Sequence, residues 1–272
     1  MENRADSVRA DLHNHIITGN NFRNVNFNKV IDCAAESLSD GALFGYNAIL
    51  GVTDFGDKRY EPFSELLDYE IDFFGDEKRA FYVPEKKVLV VGGQEVFTQE
   101  REHVMALGVP MKTRIKGGRT LRDTIKEIKD NNAISVIVHP FSLFGAGYHL
   151  QKDLDVLNEV DAIEIHNGEA LYIANWKAKK FYESIKQDYP GLGWLASSDG
   201  HSLYEIGSSW TEIRKPGLKN EYDFMEQLRE FIKYNGESNK KMTNSVVGVI
   251  DHTLDLVAII ALNKLKGLVA KK

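Results

Sequence analysis

The chain has 272 residues, enough for one domain of α/β-barrel size or two small ones, and its 43% hydrophobic and 27% charged residues are those of an ordinary globular protein with a sizeable core. Its net charge of −6 argues against broad, sequence-independent binding to nucleic acid, which needs a basic face, so no long nucleic acid is expected as a partner. The lone cysteine, Cys33, excludes an intramolecular disulfide framework and fits a reducing compartment.

Residues 1–10 are polar and carry no apolar signal region. Strand-like runs then recur at 8–14, 48–53, 87–92, 103–109, 134–138, 162–166, 193–197 and 209–214. Helical patterns lie between them at 28–39, 64–74, 121–131, 169–187 and 221–234, with Leu121, Ile125 and Ile128 at helical spacing. Such alternation predicts βα units and a largely parallel sheet, open or closed into a barrel. Cys33 falls in a helical stretch and reads as a small buried apolar residue. Segments 54–86 and 141–152, the latter with Gly145 and Gly147, follow strand ends and read as lids.

Segment 245–270 places Val247, Ile250, Leu254, Val257, Ala261 and Leu265 on one helical face. That face would pack on the barrel or form a homodimer contact. The most apolar stretch, 246–262, is interrupted by Asp251, His252 and Asp255, so no membrane span is expected. A single domain over 1–272 is the simplest organisation, with a core at about 9–215 and C-terminal helices over 220–270, in a cytoplasmic protein.

Six of the eight histidines fall at strand ends beside other ligand-type residues. His13 and His15 are two apart, so in a strand both imidazoles reach one ion. Glu95 follows the apolar run Val88–Gly93, and a carboxylate there can bridge two adjacent cations. His103 opens a strand, His139 ends one before Pro140, and Asp199 and His201 follow another. Side chains at the carboxyl ends of parallel strands converge on one face. Gathering these groups without cations would bury titratable side chains at a cost of several kcal/mol. A metal site removes that cost. His149 and His252 lack such a setting and read as a loop histidine and a structural or exposed one.

In this order, Asp11-Leu12-His13-Asn14-His15, Gly51-Val52-Thr53-Asp54, Gly93-Gln94-Glu95 with His103, His139-Pro140, Glu164 with Asn167, and Ser198-Asp199-Gly200-His201 resemble the PHP (polymerase and histidinol phosphatase) family. The match runs over about residues 9–210. The resemblance implies a distorted (β/α)7, TIM-like barrel with a metal cluster at the carboxyl ends of its strands. It implies one ion held by His13, His15, Glu95 and Asp199, and a second by Glu95, His103 and His139. A third ion, which would use His201, is expected to be weak or absent, because Asn20 or Asn21 and Phe55 stand where further ligands would be.

The activity implied is a metal-dependent phosphoesterase, acting on a small phosphomonoester or nucleotide-type substrate through a hydroxide activated by two divalent cations. Mixed imidazole and carboxylate ligands suit Zn²⁺, Mn²⁺ or Fe²⁺ better than Mg²⁺. Asp199 and His201 are the catalytic candidates, with His201 as general acid. Glu164, His166, Asn167 and Arg59 are candidates for contact with substrate or, for the first three, for support of the ligands; Arg23, Lys58 and Arg214 could grip a phosphate. Three rival readings remain: a 3′–5′ exonuclease or oligonucleotide phosphodiesterase, a metal-binding regulatory module with weakened catalysis, and an amidohydrolase-like enzyme. The last usually bridges its metals with a lysine, and Glu95 argues against it.

Overall fold

A computed structural model describes residues 7–15, 27–39, 46–54, 67–217 and 220–234. Along the chain run β1 (Ser7–Asp11), α1 (Phe27–Leu38), β2 (Ala48–Val52), β3 (Asp72–Phe73), β4 (Ala80–Val83), β5 (Val88–Phe97), β6 (His103–Leu107), α2 (Leu121–Asp130) and β7 (Ile134–Ile137). They are followed by the short α3 (Gly147–Leu150), β8 (Ala162–Asn167), α4 (Tyr172–Ile185), β9 (Gly193–Ser197), β10 (Thr211–Arg214) and α5 (Glu221–Lys233). Among the described residues no helix is long and apolar enough to cross a membrane.

The main sheet has the order β10-β1-β2-β5-β6-β7-β8-β9. Strands β1, β2, β5, β7, β8 and β9 point one way, while β6 runs antiparallel to both of its neighbours and β10 antiparallel to β1. The reversal of β6 follows from chain length: residues 98–102 make a hairpin connection, whereas a parallel crossover needs about a dozen residues or more. The last strands return to the first. Ala196 N donates to Thr211 Oγ1 at 2.7 Å, and His15 N donates to Gly200 O at 2.8 Å. The result is a nearly closed, distorted α/β barrel.

Strand alternation explains how one interior serves two purposes. Val8, Ala10 and Leu12, Leu89 and Val91, Met105 and Leu107, Val136 and Val138, Ala162 and Leu195 belong to one buried cluster. Continuing in steps of two along the same strands reaches Glu95, His103, Glu164 and Asp199. The barrel is therefore apolar at one end and rich in imidazole and carboxylate at the other. Helix α5 closes the apolar end with Phe224, Met225, Leu228 and Ile232, its first turn capped by Asn220, whose Oδ1 accepts from Asp223 N at 2.9 Å. Helices α2 and α4 cover the outer face of β6 to β8 through Leu121, Ile125, Ile128, Ala174, Ala178 and Phe181, packed on Val104, Ile163 and Ile165. Helix α1 covers Leu50 and Val90.

Two expectations change. Residues 67–74 are not helical: they lead into β3, which pairs with β4, and β4 pairs along β5, so edge pairing of the backbone outweighs the local helical pattern. That half of the expected first lid is framework; residues 55–66, with Phe55, Lys58 and Arg59, lie outside the described residues. The expected second lid is fastened to the barrel. His103 N donates to Phe144 O at 2.8 Å, and a Cβ at Gly145 would stand 2.3 Å from His139 O. Asn20, Asn21, Arg23 and the helix expected at 245–270, including His252, also lie outside the described residues.

Gly51 sits where β2 passes the end of β1, and a Cβ there would lie 2.2 Å from Leu12 O. No rotamer relieves a clash with backbone. Gly51→Ala should destabilise the fold by about 1–3 kcal/mol, read as a fall of several degrees in thermal midpoint. An unchanged midpoint would show that β1 and β2 do not need this close approach.

Candidate metal centre

The open end of the barrel collects residues from β1, β5, β6, β7, β8 and β9. His13 and His15 bring their Nε2 atoms within 3.3 Å of each other. The residue between them faces elsewhere: Asn14 accepts from Thr53 N through its carbonyl and donates from Nδ2 to Gly51 O, tying β1 to β2. Glu95 is central. Its Oε1 lies 2.5 Å from His103 Nδ1, 3.0 Å from His139 Nε2 and 3.7 Å from His13 Nε2, while its Oε2 lies 3.2 Å from His15 Nε2. Asp199 Oδ1 is 3.3 Å from His13 Nε2 and 3.4 Å from His15 Nε2. His13, His15 and Asp199, and again His13, Glu95 and His139, place their ligand atoms within 4.8 Å of one another. The six residues read from the sequence as ligands meet at one rim.

Behind them stands a supporting layer. Glu164 is 1% exposed; its Oε1 accepts from His13 Nδ1 at 3.2 Å and its Oε2 accepts from His139 N at 2.7 Å. Asn167 Nδ2 lies 2.9 Å from both Glu164 Oε2 and Asp199 Oδ2. The polar edges of Glu164 and Asn167 are thus taken by His13 and Asp199, by each other and by main-chain N–H groups of His139, Glu169 and Ala170. His166 is buried across a bulge in β8. Arg214 is far from this rim: it pairs with Ser7 at the opposite end of β1 and its guanidinium lies over the Phe231 ring, so it does not serve as a phosphate grip.

Sequence reasoning missed two supports. Asp54 Oδ1 accepts from His15 Nδ1 at 3.3 Å, and its place directly after β2 in Thr53-Asp54 was the available clue. Asp11 is buried, accepts from Ser198 N, Ser198 Oγ and Gly207 N, and so anchors the Asp199 loop to β1. Burial pushes the Asp11 carboxyl up to about 6 against those hydrogen bonds.

His201 stacks on His15 with ring centroids 4.8 Å apart. Its Nδ1 lies 2.8 Å from the Asp199 carbonyl, which can only accept, so Nδ1 carries the proton. Two residues of the centre hold left-handed backbone, His139 at φ +29° and Asp199 at φ +56°. Such strain costs on the order of 1–3 kcal/mol per residue and persists where surroundings over-determine it.

The donor set fits divalent cations. With Nδ1 of His13 and His15 donating to Glu164 and Asp54, both Nε2 atoms present lone pairs to each other and to two carboxylates. Two neutral rings repel lone pair against lone pair and two protonated rings repel as cations; a single shared proton relieves this in part, and a metal ion takes both lone pairs. Asp199 Oδ1, which faces both Nε2 atoms, is also buried without a hydrogen-bond partner.

Charge in the metal-free centre follows the same geometry. Burial disfavours the charged imidazoles, but the carboxylates prevail: Asp199, Glu164 and Glu95 raise His13 to about 9, and Asp54 and Glu95 raise His15 well above its ordinary value. His139 is raised by Glu95 and Asp199. Burial also disfavours charge on Glu95, yet His103, His139 and His15 hold it well below the carboxylate range.

A family profile described as PHP-associated matches residues 172–230, which include β9, Asp199, His201 and most of α5. No curated protein matches the chain. Among solved structures, PsfC from Pseudomonas syringae is similar with TM-score 0.60 at 17% identity, over 94% of this chain and 99% of that one. Endonuclease Q, in complex with a 27-mer duplex substrate bearing an abasic lesion at the active site, gives TM-score 0.56 at 15% identity, over 87% of this chain. A two-domain protein from Bacteroides vulgatus, containing a predicted PHP-like metal-dependent phosphoesterase, gives TM-score 0.52 at 14% identity, over 84% of this chain. This chain spans 58% and 62% of the length of those last two.

Because metal needs neutral imidazole and His13 holds its proton up to about 9, binding must displace that proton. His13 is raised above its unfolded value of 6.5, so its pairing stabilises the metal-free fold fully below pH 6.5 and loses that effect as pH rises through 9. Apparent Zn²⁺ affinity should therefore climb at least tenfold per pH unit from 6.5 to 8.5, with proton release in calorimetry across two buffers. A flat profile would contradict the His13 assignment.

Proposed function

We propose that this chain, with a PHP-type distorted barrel and a PHP-associated segment at residues 172–230, is a metal-dependent phosphoesterase whose substrate is a small phosphomonoester or nucleotide-type phosphate, acting in the cytoplasm. The observation that carries this reading is the Glu95 carboxylate, with one oxygen toward His13, His103 and His139 and the other toward His15. A carboxylate so divided suits two cations side by side, the arrangement of two-metal phosphoryl chemistry.

In this reading His13, His15, Glu95 and Asp199 hold one divalent ion, and Glu95, His103 and His139 hold the other. Zn²⁺, Mn²⁺ and Fe²⁺ fit these donors. When bound, the ions supply Lewis acidity toward phosphoryl oxygens and lower the pKa of water. The chain's own residues do the rest. Glu164 and Asp54 fix the tautomers of His13 and His15 so that Nε2 faces inward. Asn167 restrains Glu164 and Asp199 together. His201, held at Nδ1 by the Asp199 carbonyl, offers Nε2–H in its protonated state to the departing alkoxide. Among the described residues the ion pairs of Glu95, Asp199 and Glu164 are all with histidines.

The likeness to Endonuclease Q favours a second reading, cleavage of a phosphodiester in a nucleic-acid strand. The net charge of −6 and the match to little more than half of that protein weigh against it.

The test is hydrolysis after chelation and reloading with Mn²⁺, Zn²⁺ or Fe²⁺, with p-nitrophenyl phosphate set against a single-stranded oligonucleotide. Turnover of the monoester is expected; no hydrolysis of any phosphoester with any ion would overturn the enzyme reading. His201→Ala should lower kcat by about 10²–10³-fold with metal content unchanged. Loss of one equivalent of metal in His201→Ala would instead make His201 a ligand.

A further inference from the structure

Beside the metal centre lies an apolar corner that the ligand set does not explain. Phe97 ends β5 two residues after Glu95, so strand alternation puts its ring on the same face as that carboxylate. The ring meets His103 edge-on, centroids 4.1 Å apart and planes at 78°. Phe144 stacks on the same imidazole at 5.4 Å with planes 7° apart, and the two phenyl rings stand 6.4 Å apart at 72°. Phe97 remains 50% exposed.

The corner is rigid. Phe97 pairs with His103 in the β5–β6 ladder, and its carbonyl accepts from Gly118 N at 2.8 Å. Phe144 O accepts from His103 N, and its loop is pressed against the His139–Pro140 backbone so closely that a Cβ at Gly145 or Gly147 would clash. The contacts with His103 and Phe144 leave half of Phe97 exposed. Holding a half-exposed phenyl ring to water beside a metal centre costs apolar hydration that a ligand would recover.

We propose that Phe97 and Phe144 form a recognition corner for a flat, unsaturated ring on the substrate, either an aryl group or a nucleobase, positioned while its phosphoryl group sits over Glu95 and Asp199. This deepens the phosphoesterase reading and rests on it for the phosphoryl end alone. A planar ring can stack on the free face of Phe97 with its edge toward Phe144, the offset and perpendicular contacts aromatic groups favour. An aliphatic ester would gain only part of that contact. Phe97 and Phe144 are therefore specificity-determining residues that supply neither ligand atoms nor protons.

Binding of non-hydrolysable phosphonates to the Zn²⁺-loaded protein tests this without turnover. By calorimetry the wild type should bind phenylphosphonate about tenfold more tightly than methylphosphonate, or a nucleoside 5′-phosphonate about tenfold more tightly than ribose 5-phosphonate. Whichever pair discriminates identifies the ring as aryl or nucleobase. Phe97→Leu, which keeps an apolar side chain at a half-exposed strand end, should cut the preference to about twofold or less with metal content and methylphosphonate affinity unchanged. Equal affinity within both pairs, no phosphonate binding, or a preference that survives in Phe97→Leu would overturn the proposal. Discrimination by a protein that hydrolyses no phosphoester would uphold the corner and reject the phosphoesterase reading, so the two fail separately.

Discussion

Imidazole nitrogens and carboxylate oxygens crowd within 2.5 to 4.0 Å at one end of the barrel, and the supporting hydrogen bonds of Asp11, Asp54, Glu164 and Asn167 are arranged around that crowding. Their donor–acceptor pattern does not close on itself. The Nδ1 sides of His13 and His15 are satisfied by Glu164 and Asp54, whereas the Nε2 sides converge on each other and on Glu95 and Asp199. In a buried setting such convergence is unfavourable unless cations occupy the middle. Protons can partly substitute, which is why the metal-free histidines hold theirs and the two central carboxylates stay ionised.

The barrel makes that arrangement affordable by separating it from the hydrophobic contribution to stability. Steps of two along β5, β6, β8 and β9 take aliphatic side chains toward the closed end and lead to Glu95, His103, Glu164 and Asp199 at the open end, while His13, His15 and His139 stand past the ends of β1 and β7, out of phase with the core residues there. The joints that fix the open end are hydrogen bonds of high sequence separation: Asp11 to Ser198 and Gly207, Asn14 to Gly51 and Thr53, Glu164 to His13 and His139. These links set the spacing of the strand ends, and through it the size of the space that the ligand atoms surround.

Much of this was legible in the sequence. Apolar runs ending in His, Glu or Asp marked both the strands and the side of the barrel on which function sits, and β9 was read at its observed limits. What local patterns hid was decided by tertiary pairing. Residues 67–74 carry a helical pattern, yet β3 and β4 follow β5 because its edge offers a ladder of backbone partners. The antiparallel course of β6 was available from arithmetic, since the five-residue connection at 98–102 is too short for a crossover; that same reversal is what brings His103, the first residue of its strand, to the rim. Asp54 and Asp11 were missed because a buried carboxylate that supports a ligand has no spacing rule of its own; only the fold reveals which imidazole or loop it holds.

The phosphoesterase reading and the aromatic corner both presuppose cations on either side of Glu95. Anomalous diffraction from crystals loaded with Mn²⁺ or Zn²⁺, collected at the metal absorption edge, measures that directly. The account predicts two strong peaks flanking the Glu95 carboxylate, one beside His13, His15 and Asp199 and the other beside His103 and His139. A single peak away from Glu95, or none in a metal-saturated crystal, would contradict it.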